Sequence, residues 1–170
     1  MSGRNFAILL VGIGIVAFIA LRPRPYSIGD KIDNFTLGSV QGDQIRLTDF
    51  RGKVLFIEFF STWCPYCKQA YPRTVEWSEV NKDKPNVAFL KISCGEEYAV
   101  VKAFAENNIS NWPVLVDSDK EVYDKFFKKK GVPAFAIIDK QGRLSFAQVG
   151  WNPAFLSTFQ FELNAAIDGN

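Results

Sequence analysis

Val54-Leu-Phe-Ile-Glu-Phe-Phe60 runs directly into Ser61-Thr-Trp-Cys-Pro-Tyr-Cys67, and the join between them decides how the rest of the chain reads. The first segment is apolar except for Glu58, the pattern of a strand buried on both faces. Pro65 suits the first turn of a helix, where a missing N–H costs little. Residues 65 to about 82 continue as that helix, with Pro72 inside it as a kinking residue. Two cysteines separated by two residues at a strand-to-helix junction can form and break a small disulfide reversibly. The unpaired N–H groups and positive dipole end of the helix stabilise a thiolate there, which makes a usable nucleophile near neutral pH. Cys64, nearer the helix start, is expected to attack or be attacked. Cys67, one turn in and more buried, is expected to resolve the mixed disulfide. An inert structural disulfide is the bland alternative, and this junction is a poor place for one.

The chain has 170 residues, 48% of them hydrophobic, enough for one compact domain with a sizeable core. A net charge of +2 gives no sign of a nucleic-acid partner. Histidine is absent, which excludes Cys–His nucleophilic catalysis and His-bearing zinc or copper sites. Lys68 after Cys67 excludes c-type haem attachment, where that motif needs histidine. A zinc site needs four ligands, and Cys64, Cys67 and a distant Cys94 fall short of it. No metal and no organic cofactor is expected.

Residues Phe6 to Leu21 are uninterrupted apolar residues or glycine, with Arg4 before them and Arg22 and Arg24 after. The run gives roughly 24 Å of helix, short of a ~30 Å hydrocarbon core by an amount that snorkelling arginines cover. It reads as an uncleaved signal anchor; a cleaved signal peptide is the rival, although Ala17-Phe-Ile-Ala20 offers no clear small-x-small site. Residues 1–25 are therefore anchor and linker, and residues 26–170 one domain. Arginine counts on the two sides nearly balance and do not orient the span. The domain is expected in the periplasm or outer envelope space, because a signal-like N-terminus normally exports the domain behind it.

Phe35-Thr-Leu and Ile45-Arg-Leu read as short strands around the turn Gln41-Gly42-Asp43. Val87–Ser93 is a second long strand, so residues 54–93 form a right-handed βαβ unit. Glu96–Asn107 reads as a helix with Ala99, Val100, Ala103 and Phe104 inward, and Val114–Val116 as a short strand. Ser118-Asp-Lys-Glu121 looks like a capping box for a helix that ends in Lys128-Lys-Lys130 and Gly131. Ala134–Ile138 and Leu144–Val149 flank the turn Asp139–Gly142, and Asn152-Pro153 opens a last helix with Phe155, Phe159, Leu163 and Ile167 inward. The order gives an α/β sandwich with a mixed sheet.

These residues resemble the thioredoxin superfamily through Glu58-Phe-Phe-Ser-Thr-Trp-Cys-Pro-Tyr-Cys-Lys68, Pro72, and Gly131-Val-Pro133. With Leu47–Val54, the extra helix after Cys94 and the anchor, the chain is similar to the TlpA/ResA/DsbE group over about residues 28–168. The resemblance implies a thioredoxin-like α/β/α sandwich with a mixed central sheet. It further implies an N-terminal β-hairpin extension and one extra helix inserted after the βαβ unit. It implies a membrane-tethered thiol–disulfide oxidoreductase exchanging with protein thiols and disulfides, re-reduced by a membrane donor such as a DsbD/CcdA-like thiol reductant. It also implies a cis bond before Pro133, beside the cysteines, with Val132 offering backbone hydrogen bonds to a bound peptide. Two departures stand out: Pro65-Tyr66 reverses the group's usual dipeptide order, and Ala134-Phe135-Ala136 replaces its threonine and aromatic.

Glu58 is the one charge in its strand, and an unpaired buried carboxylate is expensive. Desolvation would raise its pKa and let it exchange a proton with Cys67. The bland alternative is a sheet-edge Glu paired with a lysine such as Lys91. Glu96, after Gly95, either tunes the cysteines electrostatically or is an ordinary helix N-terminal acid. Cys94 reads as a buried idle thiol, against a third redox cysteine that pairs with Cys64 or with a partner. Trp63, Pro65 and Tyr66 form an apolar rim for docking, with Val132 and Pro133 as the substrate platform; Trp112 and Trp151 read as packing. The function expected is reduction of protein disulfides, with cytochrome c thiols as one target. The alternatives are a thiol oxidant or isomerase, a peroxiredoxin-like peroxidase, and a non-catalytic envelope scaffold.

Overall fold

A computed structural model of the chain describes residues 24–84, 86–108, 112–129 and 131–169. The apolar run Phe6–Leu21 and Lys130 lie outside the described residues.

The apolar strand ahead of the cysteines, β3 (Val54–Phe60), is buried along its whole length and sits in the middle of a five-stranded sheet. Around it come the short hairpin β1 (Thr36–Gly38) and β2 (Gln44–Arg46), a 3-10 turn over Leu47–Phe50, and helix α1 (Pro65–Asn81). Then come β4 (Val87–Cys94), α2 (Tyr98–Asn107), β5 (Val114–Asp117), α3 (Glu121–Phe126), β6 (Ala134–Ile138), β7 (Leu144–Val149) and α4 (Phe155–Asp168). The sheet order is β5-β4-β3-β6-β7, parallel from β5 to β3 and antiparallel from β3 to β7. Alternation along the strands splits the core in two. Val54, Phe56, Phe135 and Ile137 face Trp77 of α1 and Phe159 and Leu163 of α4. Leu55, Ile57, Phe59, Ile92 and Ala136 face Val122, Tyr123 and Phe126 of α3. This is the thioredoxin-like α/β/α sandwich, with the expected hairpin and the extra helix α2.

The hairpin also covers an exposed sheet edge. Ser39 bridges Leu115, and the Val40 N–H donates to the Val114 carbonyl at 2.9 Å, so β5 does not present a free ladder. Trp112 and Trp151 are packing residues: Trp112 stacks on Phe89 at 5.1 Å between centroids, and Trp151 lies 6.1 Å from Phe135.

Three local expectations are corrected. Helix α2 starts at Tyr98 and buries Val101, with Phe104 and Ala105 partly buried, while Ala99, Val100 and Ala103 are exposed. Glu96 is drawn away to other partners, so the helix begins later and faces inward about one residue on. The capping box is replaced. Lys120 takes a left-handed conformation (φ 65), and the buried Asp117 carboxylate accepts the N–H groups of Val122 (3.3 Å) and Tyr123 (2.8 Å). Finally, α3 ends at Phe126, before the lysines. Phe127 leaves the helix with extended backbone to bury its ring against Phe59 and Tyr123, so Lys128 and Lys129 do not close a helix.

Candidate active site

The cysteine loop begins where β3 ends. Cys64 is the N-cap of α1, with extended backbone, and its sulfur accepts the Cys67 N–H at 3.2 Å. That hydrogen bond strengthens when the sulfur carries charge. The Cys64 thiol donates to the Val132 carbonyl at 3.3 Å, across a Val132–Pro133 peptide bond that is cis. Chain segments 68 residues apart thus meet at one sulfur. Both cysteines are buried thiols, whereas Trp63 is 67% and Tyr66 62% exposed on either side of Cys64. Two exposed aromatic rings therefore flank a recessed sulfur. Burial pushes the Cys67 thiol far above its ordinary value, helped by its hydrogen bond to Cys64 and by the negative charges of Cys64 and Glu58.

Glu58 does not stand unpaired. The parallel register sets it opposite Lys91, and Lys91 Nζ donates to Glu58 Oε2 at 2.5 Å. The pair is central rather than at a sheet edge, with 1% and 2% exposure. The Thr74 hydroxyl donates to the same oxygen at 2.9 Å. Lys91 Nζ also sits 4.5 Å from the Tyr71 ring centroid and 4.6 Å from that of Trp112, so aromatic faces replace part of its hydration. The expected acid is there, but as one half of an ion pair. Lys91 is the only charge in Val87–Cys94, just as Glu58 is in Val54–Phe60, and that double exception was a readable signal.

Glu96 lies outside α2 and clasps the cysteine loop. Its carboxylate accepts the Thr62 N–H (2.8 Å), the Thr62 hydroxyl (2.5 Å) and the buried Ser93 hydroxyl (2.8 Å). Gly95 permits the turn that aims it: φ is +71°, and a Cβ there would collide with Lys120 Cε. Two further positioning residues carry no signal in the sequence. The Tyr123 hydroxyl donates to the Gly131 carbonyl (2.7 Å) and accepts the Gly131 N–H (2.9 Å), which ties down the loop before Pro133. The Pro133 carbonyl in turn accepts the Gly150 N–H at 2.8 Å.

Cys94 falls elsewhere. It packs with Phe59, Ile92 and Tyr123 in the α3-side core, while Cys64 and Cys67 belong to a cluster with Val40, Phe60 and Val101. Its thiol donates to the Ile92 carbonyl at 3.6 Å, and burial, with Asp117 nearby, raises its pKa well above the ordinary value. The geometry does not bring Cys94 together with Cys64.

A family model described as AhpC/TSA family matches residues 28–147. The chain belongs to that family. Within it, the chain is 30% identical over 142 residues to the thiol-disulfide oxidoreductase ResA of Geobacillus thermodenitrificans, covering 81% of this chain and 79% of that one. Among solved structures it is similar to a thioredoxin-family thiol:disulfide interchange protein from Chlorobium tepidum (TM-score 0.69, 23% identity, 83% of this chain and 98% of that one). The exposed lipoprotein thioredoxin of Streptococcus pneumoniae also aligns (TM-score 0.63, 28% identity, 76% and 99%). This member of the AhpC/TSA family is accordingly an enzyme, a thiol–disulfide oxidoreductase of the ResA type with Cys64 and Cys67 as its pair.

The raised Cys67 pKa has a thermodynamic consequence. Above the ordinary thiol range, about pH 8.5, the unfolded chain gives up a proton that folded Cys67 keeps. The folded state then binds more protons, so stability is full below that range and falls as pH rises through it. The oxidised protein has no such proton, and Cys94 contributes to both forms. Urea unfolding from neutral pH to about pH 10 should therefore show the reduced form losing stability relative to the oxidised form. A difference between the two forms that is flat with pH would contradict the burial of Cys67.

Proposed function

We propose that the protein is a membrane-anchored reductant of protein disulfides on the outer side of the cytoplasmic membrane, with oxidised apocytochrome c among its substrate class. Cys64 attacks a substrate disulfide. One substrate sulfur leaves as a thiolate and takes a proton, and the other stays bonded to Cys64. Glu58 accepts the Cys67 proton, and Cys67 then attacks Cys64 Sγ. The second substrate thiol is released and the Cys64–Cys67 disulfide forms, so two electrons pass to the substrate. Trp63, Pro65 and Tyr66 hold the substrate's apolar flank, and Val132 and Pro133 offer backbone to its extended chain. Glu96 acts as a positioning residue through Thr62. A membrane thiol donor of the DsbD/CcdA kind restores the dithiol, and residues 1–25 supply the anchor and linker for the domain that begins at residue 26.

The observation that carries the direction is the charge environment of Cys67: the charges acting on it, those of Cys64 and Glu58, are negative. A strong oxidant is one whose reduced form is stabilised, and at Cys67 burial and the charges of Cys64 and Glu58 oppose the thiolate more than the Ser61 backbone hydrogen bond favours it. The peroxidase alternative needs a hydroxyl three residues before its reactive cysteine. Ser61 holds that position, but its hydroxyl donates to the Cys94 carbonyl at 3.2 Å. Equilibration with glutathione tests the direction. A Cys64/Cys67 potential below that of the glutathione couple is expected, and a value near about −120 mV would overturn the reductant reading in favour of an oxidant.

A further inference from the structure

A cavity of about 630 Å³ opens at the end of the sheet away from the cysteines. Leu55, near the start of β3, and Ile138, at the end of β6, help floor it, so on the order of 20 Å of strand separates it from Cys64. Its floor is apolar, with Ile32 and Leu47 completing it. Its rim carries Lys31, Arg51, Lys53 and Lys140, brought together from three separate stretches of chain. Lys140 donates to the Ile167 carbonyl, whereas the side chains of Lys31, Arg51 and Lys53 have no ionic or hydrogen-bonded partner among the described residues. Two acids also line it: the exposed Asp33 accepts the Tyr26 hydroxyl, and the half-buried Asp139 accepts the N–H groups of Gln141 and Arg143. Four cations thus face two carboxylates around an apolar floor, an excess of positive charge that suits an anion attached to an apolar body.

The path of the chain indicates where that anion comes from. A smaller recess lined by Arg24, Tyr26, Asp30 and Lys31 adjoins the cavity through Lys31. The segment from residue 24 is held on the domain there by the Arg24–Asp30 ion pair at 2.7 Å and by Gly29 N–H donating to the Leu144 carbonyl at 2.7 Å. Ile28, between these cations, is 63% exposed, an apolar side chain with no core to enter. Arg24 comes three residues after the apolar run Phe6–Leu21, so a span made by that run brings this end of the domain to the bilayer surface.

We propose that the cavity binds the phosphate of an anionic lipid headgroup through Lys31, Arg51 and Lys53, with Ile28 entering the interface beside it. The proposal rests on the membrane anchor proposed for residues 1–25. It assigns the anchored domain an orientation, with Cys64 turned away from the bilayer and toward soluble substrates.

The test uses the full chain in nanodiscs of phosphatidylcholine alone or of phosphatidylcholine with a minor share of phosphatidylglycerol, read by amide hydrogen exchange. Phosphatidylglycerol is expected to slow exchange several-fold in residues 31–34 and 47–53 and to leave residues 62–66 unchanged. The effect should shrink at high salt and vanish in Arg51→Gln/Lys53→Gln, since each cation near an anionic surface contributes about fivefold in association. Identical exchange in the two lipids overturns the proposal, whatever the variant does. Inorganic phosphate producing the same protection in neutral nanodiscs also overturns it, because the site would then serve a free anion. Retention on neutral vesicles after a high-salt wash separates the two readings. A chain that washes off overturns the anchor and the headgroup site together. A retained chain indifferent to phosphatidylglycerol overturns only the site.

Discussion

Cys64→Ser should abolish catalysed reduction of a disulfide substrate, with a loss of at least about a thousandfold, roughly 4 kcal/mol of barrier. The reason is positional as well as chemical. Only Cys64 combines the head of α1, the Cys67 N–H and the Val132 carbonyl with exposed aromatic neighbours that a partner can touch. A serine hydroxyl keeps the hydrogen bonds but is not ionised near neutral pH, and it cannot exchange with a disulfide. Cys67→Ser should behave differently. It leaves the attack intact and removes the sulfur that ends it, so it gives one stoichiometric mixed disulfide and no turnover. Cys94→Ser should keep turnover, because Cys94 packs in another cluster with its thiol on the Ile92 carbonyl. Single-turnover reduction of a protein disulfide by each pre-reduced variant, freed of external thiol and measured side by side, checks the order.

The second large effect concerns stability. Lys91→Met should destabilise the protein by about 3–5 kcal/mol in urea, because it leaves the Glu58 charge buried without its cation. Glu58→Gln strands Lys91 between Tyr71 and Trp112 and should cost a similar amount. The double variant Glu58→Leu/Lys91→Met should cost clearly less than either single change, since no charge is then stranded. This well-folded double variant also isolates the chemistry. With no base beside Cys67, breakdown of the mixed disulfide should slow by about 10²–10⁴-fold, while attack by Cys64 is unchanged. A double variant as unstable as the singles would show that the pair is not compensating. One that resolves at the normal rate would remove Glu58 from the reaction.

The parts of the fold that were legible in the sequence are those whose pattern is local. Val54–Phe60, Val87–Cys94 and the hairpin Ala134–Val149 are apolar runs bounded by glycine or proline, and their limits hold nearly to the residue. The cysteine pair and its helix could be read for the same reason. The features that escaped depend on distant partners. Nothing near Glu96 announces that its carboxylate will turn to Thr62, 34 residues earlier, and so delay α2. Asp117 caps α3 from five and six residues upstream of its donors, outside any capping-box spacing. Phe127 ends α3 because the core has room for its ring, which no rule about lysines and glycine encodes. Pro133 came to the site only through the family resemblance, and the Tyr123 clasp on Gly131 not at all. Glu58 was half legible: its burial was readable from the strand, and its pairing with Lys91 across the parallel register needed both strands to be read together.

The proposed mechanism divides the labour, with Cys64 bonding to the substrate and Cys67 releasing it. Peptide mapping of the mixed disulfide formed by a Cys67→Ala variant with a protein disulfide substrate tests it most directly. The predicted result is a single substrate adduct on Cys64 that persists until an external thiol is added. An adduct carried by Cys94, or a Cys64 adduct that resolves as fast as in the unaltered protein, would contradict it.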